Sequence, residues 1–152
     1  MHPEEKIAQL GLSLPPAATP AADYIPFVQS GNLLFLSGHI PKRNGQVVVG
    51  QLGRTMQTAE AKQVAREVTV DLLGTLKAAV GDLGRIQRIV KVMGLVNSTP
   101  DFTEQHLVIN GCSELLGEVF ADKGVHARSA FGVAQIPLGA CVEIELIAEI
   151  SA

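Results

Sequence analysis

"HARSAFGVAQIPLGACVEIELIAEI", residues 126–150, reads as two short strands joined by a Pro/Gly turn. In its second half Val142, Ile144, Leu146, Ala148 and Ile150 share one face, and Glu143, Glu145 and Glu149 share the other, because side chains alternate along a strand. One face belongs to a core and the other is polar. Arg128 stands at the head of the first strand. Polar strand faces are ordinary in antiparallel sheets. Arg128, Glu143 and Glu145 are therefore either a solvated surface or a site that meets across the sheet, and spacing does not choose between the two.

Upstream of this stretch, residues 99–120 ("TPDFTEQHLVINGCSELLGEVF") carry Val108, Cys112, Leu115, Leu116 and Val119 on one stripe, with Asp101 and Glu104 at capping-box spacing, and predict a helix. Residues 85–97 ("RIQRIVKVMGLVN") are rich in β-branched side chains and predict a strand. From Thr58, a candidate cap, Ala61, Val64, Ala65, Val68, Leu72, Leu76 and Ala79 recur at three and four spacing, with Glu60 in the first turn, and predict another helix. Residues 24–40 hold two apolar runs around Ser30-Gly31-Asn32, a hairpin signal, and "GQVVVG" at 45–50 offers a further short strand. The order β-β-(β)-α-β-α-β-β predicts an α+β fold, a mixed sheet with two helices packed on one face, since each helix supplies a single apolar stripe. Residues 3–10 suggest a short helix, and the proline-containing stretch "GLSLPPAATPAAD" suggests an extended connector. Residues 1–22 are thus expected to be an N-terminal extension with few core contacts, and residues 23–152 a single domain.

The 152-residue length fits one domain with a substantial core. Apolar residues make up 47% and charged residues 18%, a globular composition without a run long enough to span a membrane. The start, "MHPEEKIAQL", has no basic n-region or apolar h-region, so cytoplasm is the expected compartment. A net charge of -3 gives no general attraction to phosphate backbones, and 4% aromatic residues leave little for base stacking, so nucleic acid is not an expected partner.

Cys112 and Cys141 are too far apart for a CxxC pair and are expected as free thiols. Paired with His39 or His126 either could in principle form a nucleophile and base, but Cys112 lies on an apolar helical stripe, where cysteine behaves as a small hydrophobe. The histidines at 2, 39, 106 and 126 form no HxH or HExxH arrangement, so no metal site is expected. No GxGxxG or Walker loop is present, and no cofactor is expected.

At "SGHIP" (37–41), "NGCSELLGEVF" (110–120) and "HARSAFGVAQIPLGACVEIELIA" (126–148) the chain resembles the Rid family, also called YjgF or L-PSP, of imine and enamine deaminases. The resemblance runs from about Tyr24 to the C-terminus and is most specific at Ala127-Arg128-Ser129, Ile136-Pro137 and Val142-Glu143-Ile144. It implies a chorismate-mutase-like (YjgF-like) fold, a homotrimer with sites at the subunit interfaces, and hydrolysis of a carboxylate-bearing imine or enamine to a 2-keto acid and ammonia. By the same resemblance Arg128 grips the substrate carboxylate and Glu143 handles the attacking water. Tyr24, Ser37, Asn110 and the backbone amide of Ala130 line the same pocket. The chain departs from the usual pattern in reading Ser37-Gly38-His39 for SGQ and His126-Ala127-Arg128 for PAR. His39 is either a pocket residue or a polar residue at a strand end. A non-catalytic trimeric protein that binds a small carboxylate is the alternative, and the ribonuclease or translation-inhibitor label attached to the family ranks below both.

Overall fold

The three and four spacing after residue 58 becomes a 23-residue helix in the computed structural model of the chain, which describes residues 1–17 and 23–152. Elements are numbered in chain order. Helix α1 spans Pro3–Gln9, α2 spans Thr58–Val80 and α3 spans Gln105–Phe120. Ala61, Val64, Ala65, Val68, Leu72 and Leu76 of α2 are buried, as are Val108, Cys112, Leu115, Leu116 and Val119 of α3. Both starts differ from expectation. Gln57 is the N-cap of α2, and the Thr58 hydroxyl instead donates to Glu104 Oε1 at 2.6 Å. Helix α3 begins only after Glu104, which occupies its N-cap without a side-chain cap bond, so the expected capping box does not form. Where the two helices cross, a Cβ on Gly111 would strike the Lys62 carbonyl and lie 3.2 Å from the Arg66 amide nitrogen, so glycine permits the close approach. Outside that contact Lys62 pairs with Glu114 and Arg66 with Glu118, each at 3.1 Å.

The strands are β1 (Phe27–Ser30), β2 (Leu33–Leu36), β3 (Lys42–Arg43), β4 (Gln46–Val47), β5 (Ile86–Asn97), β6 (Ala127–Val133) and β7 (Val142–Ile150). Five of them form one sheet in the order β1-β2-β7-β5-β6, while β3 and β4 form a separate ribbon. Gly31, at φ +59, opens the two-residue loop of the β1–β2 hairpin, a position where a type II′ turn calls for glycine. The β3–β4 ribbon closes through Asn44 and Gly45, both at positive φ, a turn that the apolar pattern did not reveal. The sheet is mixed: β5 pairs with β6 in parallel, whereas β1–β2, β2–β7 and β5–β7 are antiparallel. The two C-terminal strands consequently do not pair with each other, because β5 lies between them.

Val142, Ile144, Leu146, Ala148 and Ile150 face the helices and are buried. The other face carries Glu143, Glu145, Ile147 and Glu149 of β7, and by register also Val28, Phe35, Leu95 and Phe131. On this open face Val28, Phe35 and Phe131 remain 51%, 41% and 44% exposed.

The N-terminal segment does more than extend from the domain. Ile7 of α1 is 4% exposed within the main core, and Leu10, Leu12 and Leu14 pack against that core. Glu4 pairs with Lys77 and accepts the Leu83 amide at 3.1 Å, and His2 meets Asp82 at 2.7 Å. The expectation of few core contacts is corrected accordingly for residues 1–17: the leucines of the connector supply apolar surface that the proline signal had masked. The end of the expected connector, residues 18–22, lies outside the described residues.

Candidate functional site

Arg128 leaves the start of β6 on the side of the sheet that faces α3, because it pairs with Val92, whose other partner is the buried Leu146. Its guanidinium is fixed from the helix. Nη1 donates to Asn110 Oδ1 at 2.9 Å and to Ser113 Oγ at 3.2 Å, and Nη2 donates to the His106 carbonyl at 3.2 Å. His106, Asn110 and Ser113 follow at four- and three-residue spacing and so present one face of α3. Five N–H groups are available on a guanidinium. Among the described residues Nε and the second proton of Nη2 make no hydrogen bond, which leaves a planar fork in a half-buried position. Arg43 uses the same two atoms to grip Glu67 elsewhere on this chain, Nε to Oε1 at 2.8 Å and Nη2 to Oε2 at 2.6 Å.

Glu143 belongs to the open face, where it pairs with Leu95. Its carboxyl lies over Gly38, on which a Cβ would meet Glu143 Cδ at 2.9 Å. Burial, then the neighbouring charge of Glu145, holds its carboxyl above the ordinary value of 4.5. Ser37 adjoins Gly38 and ties the chain entering β1 to this place: its hydroxyl donates to the Ile25 carbonyl at 2.6 Å and its amide to the Pro26 carbonyl at 2.9 Å. Tyr24 precedes these residues and is 46% exposed.

The predicted residues therefore fall into two groups. Ser37 and Glu143 gather about Gly38, with Tyr24 next in sequence to the Ile25 that Ser37 bonds, whereas Arg128 and Asn110 gather on the helix side, with Ala130 two residues further along the Arg128 face. Within one copy of the chain the groups do not meet. Arg128 and Glu143 occupy opposite faces, and with β5 between their strands they are separated by about 10 Å across the sheet and about 10 Å along it.

His39 resolves differently from a pocket residue. It is 5% exposed on the helix side, with Nδ1 at 2.7 Å from the Ser37 carbonyl and Nε2 at 2.8 Å from Thr75 Oγ1. A carbonyl only accepts, so Nδ1 carries the proton and Nε2 accepts from the Thr75 hydroxyl. Burial pushes its pKa below 6.5, against the opposing pull of the Ser37 carbonyl. Its role in this structure is to hold the backbone beside Gly38 from beneath.

Burial pushes both Cys112 and Cys141 up to about 11, so neither offers much thiolate at neutral pH. His2, Glu4 and Asp82 bring metal-type ligand atoms together. Here His2 Nδ1 accepts the Glu4 amide at 3.1 Å, so in the neutral ring Nε2 carries the proton shared with Asp82 and has no lone pair for an ion. A cavity of ≈ 490 Å³ between the starts of α2 and α3, lined by Arg54, Thr58, Phe102 and Glu104 among others, includes none of the predicted site residues.

Ser113, the His106 carbonyl, Gly38 and Thr75 were absent from the sequence-based set. The helical spacing of 106, 110 and 113 is the signal that could have found the Arg128 clamp.

This fold and arrangement match a described family over nearly the whole chain. The profile for YjgF/chorismate mutase-like, putative endoribonuclease, covers residues 4–150. The chain belongs to the YjgF/L-PSP family. Protein TCP17 of Trypanosoma cruzi is 44% identical over 147 residues, 95% of this chain and 92% of that protein. The crystal structure of a protein of unknown function from Agrobacterium tumefaciens is similar with a TM-score of 0.91 and 45% identity, covering 98% of this chain and 92% of the other. A structure from Shewanella oneidensis MR-1, named for an endoribonuclease, has a TM-score of 0.94 and 31% identity, covering 99% of this chain and 100% of the other. The match from residue 4 also brings most of α1 within the family pattern.

Proposed function

We propose that the chain is a hydrolytic deaminase of reactive 2-imino and enamino acids, acting as a homotrimer whose sites form between copies. The observation that carries this reading is the unused fork of Arg128, held rigid by three bonds to α3. A planar fork fits a carboxylate bidentately and fixes the imine carbon relative to an attacking water. Glu143, with its pKa raised by burial, suits the transfer of a proton. In the reaction water oxygen bonds to the imine carbon as Glu143 takes the water proton. The C=N π pair moves to nitrogen on attack, Glu143 passes its proton to that nitrogen, and the C–N bond then breaks as the C=O bond forms and the hydroxyl proton returns to Glu143, so that ammonia leaves a 2-keto acid.

Such a site needs both groups, and one copy of the chain holds them on opposite faces. Association of copies is the arrangement that would unite them. Val28 and Phe35, directly paired and exposed on the open face, support association, since adjacent apolar side chains left in water mark a contact surface, and Phe131 is exposed on the same face at the opposite edge strand. Among the described residues no helix is long and apolar enough to cross a membrane. Endoribonuclease names occur among relatives, but the net charge of -3 and 4% aromatic content favour a small anionic substrate over RNA.

The test is ammonia release from an imino acid generated in place, run beside light scattering. Ammonia at rates above the uncatalysed background and a trimeric mass support the reading. A mass of one 16.0-kDa chain at micromolar concentration overturns the shared site. Ligand-dependent stabilisation without ammonia would make the chain a carboxylate-binding protein instead.

A further inference from the structure

We propose that Ser113 and His126 are positioning residues that orient Arg128 through a directed chain of hydrogen bonds. The inference deepens the proposed function and rests on its assignment of Arg128 to the substrate carboxylate. His126 Nδ1 lies 2.6 Å from the Gly124 carbonyl, which can only accept, so the ring proton sits on Nδ1. Nε2 of the neutral ring then has only a lone pair, and its partner at 2.9 Å is the Ser113 hydroxyl. Ser113 must therefore give its proton to His126, and its oxygen lone pairs remain for Arg128 Nη1 at 3.2 Å. Donation runs in one direction from Arg128 through Ser113 to His126, and each bond polarises the next. Asn110 Oδ1 accepts from the same Nη1 at 2.9 Å. With Nη1 bonded to Asn110 and Ser113 and Nη2 to the His106 carbonyl, the Nη1–Nη2 edge is held against α3, and Nε together with the remaining Nη2 proton is left to a ligand. His126, two residues before Arg128, thereby sets the orientation of a group it does not touch.

The test uses pyruvate, a 2-keto acid of the product class, titrated into the full chain and into Ser113→Ala, Ser113→Thr, His126→Leu and Arg128→Lys. Nitrogen NMR of the histidine rings and thermal unfolding accompany each titration. Loss of one hydrogen bond from a doubly held nitrogen should weaken pyruvate binding roughly two- to tenfold in Ser113→Ala and His126→Leu. Ser113→Thr, which keeps the hydroxyl, should restore affinity, and the Nδ1–H form of His126 should be seen in the unaltered chain. Unfolding temperature should stay level across the Ser113 pair, which separates orientation from general stability. Pyruvate affinity that depends on Arg128 but is indifferent to Ser113 and His126 overturns this inference alone. Absence of pyruvate binding by the unaltered chain, or equal binding by Arg128→Lys, overturns the carboxylate assignment and the inference with it.

Discussion

The carboxyl of Glu143 occupies the space that a side chain on Gly38 would fill, with Glu143 Cδ 2.9 Å from the position of that missing Cβ. Gly38 gives the Glu143 carboxyl room and is not there for a left-handed backbone, since its φ is not among the positive values. Gly38→Ala should push the Glu143 carboxyl out of place. A displacement on the order of 1 Å at a reacting group can cost about a hundredfold in rate. Ammonia release and a melting curve would check this, with the expected result a large loss of turnover in a folded protein.

Glu143→Gln should lower turnover roughly a hundred- to ten-thousandfold, the usual contribution of a positioned acid or base, while Glu145→Gln on the same face should do much less. Stability should move the other way. Because the Glu143 pKa is raised above 4.5, its contribution to stability is fully present below 4.5 and is lost as pH rises through the raised value. Glutamine stays neutral, so the variant should unfold at a higher temperature than the unaltered chain at pH 7, and the margin should close below pH 4.5.

Arg128→Lys keeps the charge but loses the fork and the bonds to Asn110, Ser113 and His106. A hydrogen bond to a charged group contributes about 1.5 to 3 kcal/mol, so kcat/KM for carboxylate-bearing imines should fall by on the order of ten- to a hundredfold. Steady-state kinetics on a folded variant would measure it.

His39→Gln restores the residue typical of SGQ sequences. Burial lowers the His39 pKa below 6.5, so its contribution to stability is fully present above 6.5 and is lost as pH falls through the window down to the lowered value. The Gln variant should show a flatter stability profile across that window, with the difference read from denaturant midpoints at a series of pH values.

Ile7→Ala should destabilise the fold by about 2 to 4 kcal/mol, the cost of truncating a buried aliphatic side chain. Removal of residues 1–17 should lower the unfolding temperature further, because it also strips Leu10, Leu12 and Leu14 from the core. Unchanged unfolding of both variants would return the segment to a dispensable extension.

The elements of this fold were legible because each is written in a local period. The stripe of α2 recurs every three or four residues, and β7 alternates from Val142 to Ile150, so either can be read without knowing its neighbours. The class followed, since two one-sided helices and a one-sided sheet have few ways to bury their apolar faces. A shared pocket for Arg128, Glu143, Ser37 and Asn110 is what the family resemblance implies, whereas one copy of the chain holds Arg128 with Asn110 on the helix side and Glu143 with Ser37 about Gly38. Parity within each strand was legible too, but the relation between strands was not. Insertion of β5 between β6 and β7, in parallel to one and antiparallel to the other, is a long-range choice that put Arg128 on the helix side and Glu143 on the open side. The fate of His39 was likewise settled by tertiary contact, since only the approach of Thr75 from α2 turns a polar strand-end residue into a buried, fully bonded one. Local period depends on the geometry of a few consecutive residues, whereas strand order and side-chain partners depend on loop closure and packing among segments distant in the chain, and that is why the elements could be read in advance and the division of the site could not.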